Sequence, residues 1–189
     1  MFQAGIESSY IDTRKLLPML LKSHPSDLEL LFSRQVTFSD CLASLYENRD
    51  EIVHFLKRRM ITSVIGNIKS NMSHLQKLEF SIVPGDKIKN TRKMLYTDIR
   101  LIFTMNKYLN GETFADALWI EGDQKDYLME LKTCKTPINP VSLNFMLSSL
   151  QHCVDLLSFN ASNMKNDFSY VEKLFSGVKE AIKKEIANQ

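Results

Sequence analysis

The stretch that decides the fold is "EIVHFLKRRMITSVIGNIKSNMSHLQK", Glu51 to Lys77. Ile52, Leu56, Met60, Val64, Ile68, Met72 and Leu75 recur every three or four residues, and Phe55 and Ile65 widen the stripe. That is the period of an amphipathic helix with one buried face. Gly66 interrupts it at a cost of about 1 kcal/mol and reads as the mark of a close helix contact.

Helical signals continue on both sides. Upstream, Asp12 is placed to cap "TRKLLPMLLKS", in which Pro18 removes a backbone donor and should kink the helix or delay its start. Ser26 and Glu29 in "HPSDLELLFS" have capping-box spacing. A short helix over "DCLASLYENR" follows, and "VPGDK", Val83 to Lys87, reads as a turn.

Downstream, "NTRKMLYTDIRLIFTMNKYLNGE" carries a stripe of Leu95, Ile99, Ile102, Met105 or Phe103, and Leu109, with Gly111 as its stop. "TFADALWIEGDQ" is irregular or a short helix, and "DYLMELKTC" is another short one. Asn139 before Pro140 is an N-cap with proline at the first helical position, opening a helix to about Phe159 with Leu143, Leu147, Leu150, Val154 and Leu157 inside. A last helix from about Asp167 places Val171, Leu174, Val178, Ile182 and Ile186 at seam spacing.

Strand material is confined to "GIESSYI" near the N-terminus and "FSIVP". Two short pieces make no stable sheet alone. The expected fold is therefore mainly α: one multi-helix bundle over 1–189, with at most a strand remnant in 1–11, a helical region over 12–135 and a C-terminal helical hairpin over 139–189.

The chain of 189 residues, 44% hydrophobic and 24% charged, suffices for one domain with a real core. A net charge of +2 argues for neither a nucleic-acid coat nor an acidic tail. Its distribution is uneven: nine Lys/Arg between His54 and Lys93 face Glu79 and Asp86, while Glu112 to Glu130 holds six acids against Lys125. Cys41, Cys134 and Cys153 form no CxxC pair and read as reduced thiols of a cytoplasmic protein. No apolar run approaches the roughly 18 residues of a membrane span, and no membrane association is expected.

Catalytic patterns are missing: no GxxxxGK[ST], GxGxxG, HExxH or GxSxG occurs. His24, His54, His74 and His152 are scattered and read as single surface or core-edge side chains. Glu121 and Asp123 alternate as metal-holding carboxylates on a strand do. Gly122 between them and turn-forming flanks favour a chain reversal instead, with Asp126 helping to begin the next helix. Lys57, Arg58 and Arg59 are adjacent and should fan out around their helix. Lys93, Thr97 and Arg100 share a face, opposite the apolar side. They are the candidate nucleotide- or nucleic-acid-binding residues.

These segments resemble nucleotidyltransferases of the DNA polymerase β superfamily associated with RNA repair. "IDTRKLLPMLLKSHPSDLELLFS" is similar to the segment after the family's catalytic strands: Arg14, Lys15 and Leu16, then His24, Pro25 and Ser26, then Leu28, Glu29, Leu30, Leu31 and Phe32. Lys93, Ile99, Arg100, Leu101 and Gly111 follow the family's next helix, with Thr97 where a histidine would stand, and "KDYLMELKTCK" is similar to its Leu-Leu-x-Ile-Lys ending. The resemblance covers about Ile11 to Lys135.

The resemblance also implies what is missing. The family's small catalytic sheet bears a Gly-Ser or Gly-Gly turn for the phosphates and carboxylates for two metal ions. This chain contains neither pair, and it begins where the last catalytic strand would be ending. Glu7 matches the third carboxylate by its offset from Lys15. The expectation is a non-catalytic binding or partner subunit, split or truncated as in phage genomes, with no metal site or cofactor of its own. A separate catalytic chain would bring Mg and nucleoside triphosphate and restore transfer. A third reading is an interaction protein that blocks a host factor. Protein partners or self-association, and nucleic acid through the basic middle segment, are the expected contacts.

Overall fold

The computed structural model describes residues 13–33, 42–77, 85–133, 138–165 and 167–187. Among them are nine α-helices and no strand, so the protein is a mainly α multi-helix bundle. The helices are α1 (Thr13–Leu21), α2 (Pro25–Leu28), α3 (Ala43–Glu47), α4 (Arg49–Leu75), α5 (Gly85–Leu109), α6 (Phe114–Ala117), α7 (Gly122–Lys132), α8 (Pro140–Ser162) and α9 (Ser169–Ala187). "GIESSYI", Asp12, Cys41, "FSIVP" and Cys134 lie outside the described residues.

The stripe on α4 makes it the hub. Ile52, Leu56, Met60, Ile61, Val64 and Ile68 are fully buried, and each such side chain contributes about 1.5–3 kcal/mol by leaving water. Helices α5 and α8 pack along α4, α9 packs on α1, α3 and α4, and α6 and α7 cover α5. One core joins Leu16 of α1 to Ile182 of α9. Asn48, at the elbow between α3 and α4, fixes this arrangement: its Nδ2 donates to the Ser44 carbonyl at 2.7 Å and its Oδ1 accepts from the Tyr170 hydroxyl at 2.9 Å.

Several ends follow local chemistry. Asn139 caps α8 with a capping box shared with Ser142, and Pro140 opens the helix. Gly111 adopts φ +101 beyond α5, the left-handed stop that the sequence implied. Helix α1 runs through Pro18 to Leu21, and the turn that follows bends at Ser23, a buried non-glycine residue at φ 56.

Other expectations are corrected. The cap of α2 is His24, whose Nδ1 accepts from the Ser26 amide at 3.3 Å, because Pro25 takes the first helical position. Glu29 is thereby released from the expected capping box. Gly85 belongs to α5, so the helix begins inside the expected turn, and α7 begins at Gly122, a turn before Asp126. Phe55 lies outside the core and stacks on Tyr170 with centroids 4.9 Å apart. On α9, Phe175 is buried and Leu174 only half-buried.

Gly66 marks no close contact, since a Cβ there would meet nothing within 4 Å. Gly66→Ala should therefore stabilise the protein by about 1 kcal/mol, through higher helix propensity and a less flexible unfolded chain. A rise in the midpoint of thermal unfolding checks it.

Candidate functional site

Three places collect polar side chains that the core does not require. The first is the expected face of α5. Lys93 is exposed there, and the Thr97 hydroxyl donates to the Lys93 carbonyl at 2.8 Å, a bond within the helix. Arg100 is engaged: its Nη2 donates to both carboxylate oxygens of Glu29, at 2.8 and 2.9 Å. The two partners are 31% and 40% exposed, so the pair ties the turn after α2 to α5 and adds well under about 1 kcal/mol. A ligand at Arg100 would have to compete with Glu29. Glu7 lies outside the described residues.

The second is a cleft of about 490 Å³ between the end of α1 and the outer side of α4, lined by Leu21, Lys22, Arg58, Arg59, Thr62 and Ser63. Arg58 and Thr62 are four residues apart, as are Arg59 and Ser63, so they form two neighbouring ridges of α4. Arg58 and Arg59 thus line one wall together. Only Lys57 fans away, to donate to the Tyr108 carbonyl at 3.3 Å and lie 4.3 Å from that ring's centroid. Burial lowers the Lys57 pKa there.

The Arg59 guanidinium carbon lies over the Phe168 ring, 3.9 Å from its centroid. A cation over a ring face is held there by the ring's quadrupole. The turn after α1, bent at Ser23, places Lys22 on this wall. Three cations and two hydroxyls converge with no carboxylate among the lining residues. Such a wall suits phosphate oxygens through charge-assisted hydrogen bonds.

The third is internal. Asp98 is fully buried on α5, and Asn67 and Asn71 of α4 donate to its Oδ1 at 2.9 and 2.8 Å. Its Oδ2 is buried and unpartnered among the described residues. Burial pushes the Asp98 pKa up to about 6, and the two amide donors oppose the shift.

Glu121 occupies the N-cap position of α7 without a capping side-chain bond and accepts from the Trp119 indole N–H, and Asp123 sits in the first turn of α7. Among the described residues no group of three His, Cys, Asp or Glu is arranged to hold a metal ion. No helix there is long and apolar enough to cross a membrane.

No family model, curated protein or solved structure matches this chain.

Sequence reading alone missed both the cleft and the buried trio. The cleft needed α1 to be docked on α4, which no spacing reveals. The trio left a readable trace: Asp98 stands between Leu95 and Ile102 in the stripe of α5, and Asn67 and Asn71 are one turn apart on α4.

Proposed function

We propose that this protein is a non-catalytic, nucleotidyltransferase-like helical module that holds the phosphate backbone of a nucleic acid. The observation that carries the reading is the convergence of Lys22, from the turn after α1, with Arg58 and Arg59 of α4 on one cleft that no carboxylate lines. The ordered likeness from Ile11 to Lys135 supports kinship with the helical part of those enzymes. The absence of a Gly-Ser or Gly-Gly pair from the sequence supports a binding role. Mg and nucleoside triphosphate enter this reading only through a separate catalytic chain. The unpaired spacing of Cys41, Cys134 and Cys153 supports a cytoplasmic setting.

Fluorescence anisotropy with labelled RNA and DNA oligonucleotides tests it. Three phosphate contacts give a slope of about −2 for log K against log salt. Replacing both Arg58 and Arg59 by alanine should weaken binding at least about tenfold and bring the slope near −1. Lys93→Ala should change little. Binding that ignores salt, or survives the double replacement, overturns the assignment to the cleft. Sustained incorporation from a labelled nucleoside triphosphate by the chain alone, lost on Glu7→Ala, overturns its non-catalytic character.

A further inference from the structure

Helix α8 is apolar on two opposite sides. Leu143, Leu147, Leu150, Val154 and Leu157 face the core, while Val141, Phe145, Leu156 and Phe159 are 79%, 74%, 52% and 68% exposed. With Ser149 and His152 between them, the outer residues follow intervals of three and four and form one stripe opposite the buried one. The only charged side chain on α8 is Asp155, at the edge of that stripe, where its Oδ1 accepts from Gln151 Nε2 at 2.8 Å. An uncharged apolar stripe of this length is unusual on a surface helix and marks a contact surface.

We infer that the outer face of α8 pairs with the same face of a second copy, antiparallel, about a two-fold axis between Ser149 and His152. The stripe is complementary to itself when reversed: Val141 then meets Phe159, Phe145 meets Leu156, and Ser149 meets His152, each contact made twice. Apolar side chains cover one another at both ends, and the two small or polar residues meet in the middle. The rim is polar, with Asn144, Ser148 and Asn160 exposed on either side and Asp155 as its one acidic side chain.

The two phenylalanines alone present on the order of 300 Å², and with Val141 and Leu156 the stripe reaches roughly 500 Å² per copy. Two copies therefore bury about 1,000 Å², the lower limit for a specific interface, which places the dimer in the weak, concentration-dependent class. A shallow crossing of about 20° keeps both ends in contact.

Sedimentation equilibrium of the full chain from about 1 to 500 µM is the test, with half-dissociation expected on the order of 10 µM. Mass should rise from 21.8 kDa to twice that value. Phe145→Asp should remain at the monomer mass throughout, with an unchanged helical circular dichroism spectrum because position 145 faces water. Mixing a Val141→Asp, Phe145→Asp chain with a Leu156→Lys, Phe159→Lys chain should give more association than either chain alone, though less than wild type, since the antiparallel register sets acids against bases at one end. A wild-type chain that stays monomeric over the whole range, a Phe145→Asp chain that still pairs, or a mixture less associated than its separate chains overturns the proposal.

Discussion

Replacing Asp98 by asparagine raises the stability of the protein at pH 8 by up to about 3 kcal/mol and leaves it nearly unchanged at pH 3.5. The folded protein binds a proton at Asp98 with a pKa of about 6, against 3.8 for the free group, a difference worth about 3 kcal/mol. Between those values the native state holds more protons than the unfolded one, so stability falls as pH rises. The contribution is whole below 3.8 and gone above about 6. Asparagine copies the shape and neutrality of the protonated acid, and its oxygen still accepts from Asn67 and Asn71. Urea unfolding of both chains across pH 3.5–8 measures the gap, which at pH 8 amounts to a midpoint increase on the order of 6–12 °C in a thermal scan. His24, whose pKa burial lowers against the pull of Asp27, titrates in both chains and cancels in the difference. A gap that stays constant with pH, or wild type being the more stable at pH 8, contradicts the buried-charge account.

Leu56→Ala lowers stability by about 3–5 kcal/mol. Leu56 is fully buried in the stripe of α4, the helix on which α5, α8 and α9 all rest. Truncation loses the transfer free energy of the side chain and leaves a cavity that several rigid neighbours prevent from collapsing. The denaturation midpoint should fall with the slope against urea unchanged, since the surface exposed on unfolding is nearly the same. Loss of under about 1 kcal/mol would mean that the hub repacks freely.

The parts of the architecture that are local in sequence were legible there. The α4 stripe, the Asn139 and Pro140 start of α8 and the Gly111 stop of α5 each depend on neighbours within a turn or two. Glu29 shows where legibility ends. Its spacing from Ser26 spoke for a cap, yet its carboxylate meets Arg100, a partner 71 residues away in the chain. Arg100 itself was read as facing a ligand. Adjacency alone fans Arg58 and Arg59 out around α4, and nothing in their own helix shows that Lys22 comes to stand across from them. Charge is a poor guide to place when its partner lies on another element, whereas apolar periodicity reports the face and leaves only the neighbour open.

The trio of Asn67, Asn71 and Asp98 also bears on how α5 lies along α4. Leucine and isoleucine seams tolerate sliding, because one apolar ridge fits a groove much like the next. A shift of α5 by one helical turn, about 5.4 Å, would take the Asp98 carboxylate out of its seat between the two amides, which are themselves one turn apart, and leave at most one of them in reach. Misaligned packings of the two longest helices are therefore penalised at a single position, and the same group that weakens the protein above pH 6 singles out one alignment from those the seam would otherwise accept.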